Sequence, residues 1–364
     1  MGSTARRIVL ASISAFLHAQ AYGDGAVLPK QEILVVIGAA GQPEYGRMFG
    51  QWADAWRSAA DAAQANLQVI GEAADGAADR EQIAAALRRQ ADARPDLFWL
   101  VLIGHGTYAG DSAKFNLRGA DVTAEQLAGW LAPIGSPTVV VNCASASGPF
   151  LHELSADGRI VITATKSGYE LNFARFGQYF SGALTDPQAD LDKDDQVSLL
   201  EAYLTACRRL EEFYAEDARL ATEHALLDDN GDGLGTPAAW FRGLRATQRA
   251  KEGGQLDGVR AHQVHLVASD REARMPLELR KRRDGLELEL EALREQKPSL
   301  KEEDYYRQLD ALMLELARVY QSANSAENAH SENAQPENAQ PENNQPENNQ
   351  PENNQIDASA RSGD

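Results

Sequence analysis

Apolar and polar residues fall into blocks over the first two thirds of the chain. Glu32-Ile-Leu-Val-Val-Ile-Gly38, Phe98-Trp-Leu-Val-Leu-Ile-Gly-His105-Gly106, Pro137-Thr-Val-Val-Val-Asn-Cys143 and Arg159-Ile-Val-Ile-Thr-Ala164 are continuous apolar runs, as expected of parallel strands covered on both faces. Leu67 to Ile70 reads as a shorter strand. Between these runs the spacing predicts helices over about 44–65, 79–91 and 123–131, the last opened by a Thr123-to-Gln126 capping box. Strands alternating with helices predict an α/β fold, a doubly wound and mostly parallel sheet spanning about residues 30–245.

From about Leu277 the pattern turns helical and charged. Leu286, Leu290 and Leu293 share a face, and Tyr305, Leu309, Leu312, Leu316 and Val319 follow after the turn at Lys297-Pro298-Ser299. This predicts an antiparallel helical hairpin within a 246–322 extension, its second arm opened by a Ser299-to-Glu302 capping box. Each arm is only about three heptads, so it is expected to pack on the main domain or dock a protein partner. From residue 323 the chain is polar, with a pentapeptide array from Pro336 to Gln355 that has too little to bury and is expected to be disordered. At the other end, Arg6-Arg7, the apolar Ile8 to Leu17 and Ala19-Gln20-Ala21 compose a signal peptide over residues 1–21. Export to a periplasmic or secreted location is the expectation. The apolar run is about ten residues against the roughly 20 a spanning helix needs, so no integral membrane segment is expected after signal removal.

The 364 residues carry a net charge of −19. That excludes nucleic-acid partners, whose phosphates require a basic surface. Eight acidic residues against one Arg give −7 to the last 41 residues, leaving −12 on the rest, much of it in two stretches. In the first, Asp190, Asp192, Asp194, Gln196, Ser198 and Glu201 occupy EF-hand ligand positions, with Asp195 where the turn glycine stands. Calcium is therefore the expected cofactor. The second, with Asp228, Asn230 and Asp232, has the first three positions but Ala239 where the closing Glu belongs, and is read as half a site or a turn. Gly38-Ala-Ala-Gly41 lacks the spacing of a dinucleotide loop.

Two parallel strands joined by one helix end at the same sheet edge, so His105 and Cys143 are expected to emerge together. An imidazole that takes the thiol proton raises the reactive thiolate fraction. Gly106 and Cys143 can each offer a backbone N–H to an oxyanion. With only Cys143 and Cys207 in the chain, the competing reading of Cys143 is a structural disulfide.

The strand ending His105-Gly106, followed by a strand ending at Cys143 with Ser147-Gly148 close behind, resembles the legumain-like cysteine peptidases of the caspase-type clan. The resemblance implies a caspase/legumain-like peptidase domain that hydrolyses protein or peptide substrates. It makes His105 the general base and then acid, Cys143 the nucleophile and Gly106 an oxyanion donor. It also implies an acidic residue in the pocket before the scissile bond, here Glu170, and an Arg in the same pocket, here Arg47. In that family the nucleophile follows an acidic residue and Ala and is followed by one residue and then Ser-Gly. Here Val141-Asn142 precede Cys143, and four residues separate it from Gly148. The alternative is a peptidase-like, calcium-binding scaffold that does not cut.

Overall fold

The computed structural model describes residues 28–73, 78–216, 218–251 and 253–333. The signal peptide and the array after 333 lie outside the described residues. Six strands form the main sheet: β1 (Gln31–Ile37), β2 (Asn66–Ile70), β3 (Leu97–Ile103), β7 (Thr138–Asn142), β8 (Arg159–Thr163) and β9 (Leu226–Asp228). Their order is β2-β1-β3-β7-β8-β9, and all neighbours are parallel except the last pair, β8 and β9. The expected mostly parallel α/β sheet is thus the observed one.

Why the strands read as unbroken apolar runs is evident from what covers them. One face packs under α1 (Pro43–Ala63), α5 (Phe176–Ala183) and α6 (Leu199–Glu216), burying Trp52, Trp56, Phe176, Phe180 and Tyr203 against Trp99, Val101, Val139 and Val141. The other packs under α2 (Asp79–Ala93), α3 (Ala124–Leu131) and α4 (Gly148–Leu154), burying Ile83, Leu127 and Phe150 against Leu100, Leu102 and Val140. Trp99 alone removes on the order of 200 Å² from water, and such side chains dominate the stabilisation of both layers. The Thr123 box forms as expected: Gln126 N–H donates to Thr123 Oγ1 at 3.1 Å and Thr123 N–H to Gln126 Oε1 at 3.2 Å.

Three details differ from the sequence pattern. The stretch after His105 is a small antiparallel sheet, β4 (Gly106–Ala109), β5 (Ser112–Phe115) and β6 (Val122–Thr123), which the apolar runs do not show. Its strands are too short and its apolar residues too few for a clear period of two. The second capping box is not made: Ser299 Oγ donates back to the Gln296 carbonyl at 2.8 Å, inside a short 3-10 turn. The hairpin itself is present. A five-residue α7 (Val259–Gln263) and an equally short α8 (Asp270–Arg274) precede its arms α9 (Leu277–Gln296) and α10 (Glu302–Asn333), and α10 runs past the expected boundary at 322. Leu256 N–H donates to Glu295, and Gln263 Nε2 to the Asp284 carbonyl and Glu287, so the hairpin packs on its own chain. Among the described residues no helix is long and apolar enough to cross a membrane.

Candidate active site

The order β2-β1-β3 reverses the direction in which the sheet grows, and open α/β sheets leave a crevice at such a point, outside the carboxyl ends of the strands. His105 stands there. Its Nε2 bonds the Ala40 carbonyl beyond β1 at 3.2 Å, which fixes the proton on Nε2 and leaves Nδ1 as the acceptor. Tyr45 and Phe49 of α1 and Phe173 ring it edge-on at 4.9, 5.3 and 5.8 Å. Burial among these rings lowers the imidazole below its ordinary pKa of 6.5, with the Ala40 bond acting the other way. A neutral base follows at neutral pH.

Cys143 does not reach the rim. Its N–H still belongs to the sheet, donating to the Leu102 carbonyl at 2.9 Å, so it is not free for an oxyanion. Its side chain is 1% exposed and joins the core with Trp52 and Phe176. There α5 passes so close that a Cβ on Gly177 would come within 2.7 Å of the Cys143 Cβ, which is why glycine occupies that position. Burial, with the Glu223 carboxylate adding to it, pushes the thiol well above its ordinary range. Cys207 is likewise a free, buried thiol, so neither is in a disulfide.

The residue beside Gly106 is Ser145. Gly106 N–H donates to Ser145 Oγ at 3.1 Å, and that hydroxyl donates to the Gly106 carbonyl at 3.2 Å. Any side chain on Gly106 would collide with the Ser145 carbonyl, 2.2 Å from the place of its Cβ. The β3–β7 ladder ends at Leu102 and Asn142, and beyond it the two Gly106–Ser145 bonds hold the loop after β7 beside the residue that follows His105. The residue after Ser145, Ala146, has φ +53°, a left-handed backbone that non-glycine residues adopt at a cost. Counting back from Ser147-Gly148, the family spacing of nucleophile, one residue, Ser, Gly also falls on Ser145, with Ala144 supplying the preceding Ala. Ser145, rather than Cys143, is the side chain that bonds the residue following His105. That spacing was present in the sequence, but the only cysteine at a strand end masked it.

The segment between β8 and α5, residues 164–175, crosses over this loop. Ala146 N–H donates to the Glu170 carbonyl at 2.8 Å, and Ser147 and Thr165 hydroxyls meet at 3.1 Å. Glu170 does not line an open pocket: its Oε1 meets His224 Nδ1 at 2.5 Å, and its Oε2 accepts from Lys166 N–H at 3.0 Å and His224 N–H at 3.2 Å. Arg47 lies exposed on the first turns of α1, and neither residue forms the expected charged pocket. A cavity of about 410 Å³ opens instead beside α4, walled by Tyr108, His152, Lys166 and Tyr169.

At the first acidic stretch, one oxygen each of Asp190, Asp192 and Asp194 lie within 4.8 Å of one another. Asp195 takes φ +69°, the left-handed turn that glycine usually makes at that position. Three carboxylates on such a turn fit a hard cation. The closing positions are engaged otherwise. Glu201 is 1% exposed, its Oε1 accepts from Leu191 and Asp192 N–H, and its Oε2 accepts from Ser198 N–H and Oγ. Gln196 bridges Asp194 and Ser269 N–H. In the second stretch Asp228 accepts from Ser155 Oγ, Gly231 N–H and Gly233 N–H, Asn230 from Asp232 N–H, and Asp232 from Leu234 and Gly254 N–H. The neighbouring Asp257 carboxyl is raised to about 8 by burial and by Asp229. A turn closed by its own backbone is the reading that geometry favours there.

No family model matches the chain, and no curated protein matches it in sequence. Among solved structures it is similar to the initiator caspase Dronc of Drosophila, at 13% identity and TM-score 0.39, over 64% of this chain and 93% of that one. It is also similar to caspase-1 from Spodoptera frugiperda, at 10% identity and TM-score 0.39, over 57% and 89% of the two chains. A third is drICE, at 10% identity and TM-score 0.36, over 51% and 84%. These are likenesses of fold to caspase-type structures.

Proposed function

We propose that this chain is a peptide-bond hydrolase on a cysteine peptidase-like fold, with Ser145 as its nucleophile and His105 as its general base. The observation that carries this is the pairing of Ser145 Oγ with the Gly106 N–H at 3.1 Å, directly after the base. In the reaction the Ser145 hydroxyl leaves the Gly106 carbonyl and gives its proton to His105 Nδ1. Oγ bonds to the peptide carbonyl carbon, and the π pair moves onto the carbonyl oxygen. The Gly106 N–H, released from Oγ, is within reach of that oxygen. Collapse breaks the C–N bond as His105 returns the proton to the departing amine. Water then adds to the ester, giving its proton to His105, and Ser145 recovers that proton as the acid leaves. The cavity walled by Tyr108 and Tyr169 adjoins the loop and would take a neighbouring side chain of the peptide.

Peptide-library cleavage by the wild-type chain, Cys143→Ala and His105→Ala tests this. Cleavage within about twofold of wild type for Cys143→Ala, and a loss of about 10²-fold or more for His105→Ala, is expected. Loss on Cys143→Ala alone, in a chain that stays folded, would return the nucleophile to the cysteine. Cleavage by none of the three supports a second reading, a binding protein that does not cut. One observation favours that reading: Ser145 is 2% exposed and its hydroxyl donates to backbone rather than to His105.

Calcium belongs to the same proposal as a clamp. Asp190, Asp192 and Asp194 would hold it, with Glu201 turning from its backbone donors to close the site. Oxygen ligands of this kind supply stability rather than chemistry. Export, read from residues 1–21, would place the loop in millimolar calcium.

A further inference from the structure

We propose that residues 164–175 are a strap that closes the Ser145 site, and that the contact between Glu170 and His224 is its latch; the inference rests on the Ser145 reading. The strap touches both members of the site. Its Glu170 carbonyl holds the Ala146 N–H, and its Phe173 ring lies 5.8 Å from that of His105 and 4.5 Å from that of Tyr45. With the strap down, Ser145 is sealed at 2% exposure. A substrate cannot reach Oγ in this form.

Two adjacent residues of one segment grip the strap. Glu223 accepts from the backbone N–H groups of Arg175 and Phe176 at 2.8–3.0 Å, and from Tyr214 Oη at 2.9 Å, fixing the end that enters α5. It is 3% exposed. His224 grips the middle, through the Glu170 carboxylate, and its side chain is 44% exposed. The buried grip is an anchor and the half-exposed one can release. On either side of Glu170 the strap carries Tyr169 and Leu171, 80% and 57% exposed, apolar surface that an incoming peptide could cover as the strap lifts. His224 is thus a positioning residue, acting on Ser145 through Glu170 and Ala146.

The test measures opening without requiring catalysis. Amide exchange at Ala146 is followed in the full chain, with alkylation of the core thiols Cys143 and Cys207 as internal controls for unfolding. His224→Ala and Glu170→Gln should each raise Ala146 exchange roughly tenfold, the size expected for one carboxylate hydrogen bond with a half-exposed partner. Alkylation of Cys143 and Cys207 should not change. His224→Asn, which keeps an N–H donor, should restore most of the protection. Unchanged Ala146 exchange in both variants, or a parallel rise at Cys143 and Cys207, would overturn the latch. Fluorophosphonate labelling of Ser145 in the same variants separates the two ideas. Faster labelling supports both, whereas faster exchange with no labelling in any chain leaves the strap standing and removes the hydrolase.

Discussion

Ser145→Ala is expected to abolish peptide hydrolysis, with kcat/KM falling by at least about 10³-fold, the scale seen when a nucleophile is removed from an acyl-transfer site. The same substitution should leave the fold intact. It removes one hydroxyl that bonds only Gly106, and because the Gly106 N–H and carbonyl it abandons are buried, a stability loss of about 1–3 kcal/mol is expected. Cys143→Ala should behave in the opposite way. Emptying a sulfur's volume next to Trp52 and Gly177 should cost about 1 kcal/mol of stability and little rate. The wild-type pH profile supplies a second readout. The base works only unprotonated, and burial holds His105 below 6.5. The rate should therefore persist as pH falls past 6.5 and drop only as it passes through the lowered pKa; an acid limb centred at or above 6.5 would place the base elsewhere.

Glu201→Ala is expected to be the most destabilising change in the acidic stretch, lowering Tm by roughly 5–10 °C. One buried carboxylate accepts from three backbone N–H groups and a hydroxyl, joining the loop at Leu191 and Asp192 to the start of α6. Truncation leaves those donors without partners at about 3 kcal/mol or more in total. Glu201→Gln keeps one accepting oxygen and loses the other together with the charge, so it retains about half of the bonds while removing the calcium-binding carboxylate. The expected result is a Gln variant whose Tm in EDTA falls between those of wild type and Glu201→Ala, with little of the increase that calcium gives the wild-type chain. Equal calcium-induced shifts in Glu201→Gln, Asp192→Ala and wild type would remove the calcium clamp.

The sheet was legible because parallel strands under two helical layers must be apolar throughout, and β1, β3, β7 and β8 are. So was the sheet edge at which His105 emerges, which follows from the βαβ connection alone. The proposed nucleophile was harder to read. The bonds that bring Ser145 beside Gly106 lie beyond the end of the β3–β7 ladder, whereas Cys143 N–H still donates to Leu102. Chemical salience pointed to the thiol, whereas spacing from Ser147-Gly148 pointed to the hydroxyl. Glu170 misled for a related reason: a carboxylate after a strand end can line a pocket or bind its own loop, and its partner His224 is 54 residues away. The strap and its latch are long-range pairings that no local pattern announces. Ser299 shows the limit at short range, since its hydroxyl chose the preceding turn over the helix it precedes by three residues.

Exposure of the native, full-length chain to a fluorophosphonate and to iodoacetamide, followed by peptide mapping, tests the central claim most directly. A serine adduct on Ser145 that disappears in His105→Ala, with Cys143 unmodified until the chain unfolds, is the predicted result. Rapid native alkylation of Cys143 that requires His105, with Ser145 unlabelled, would contradict it.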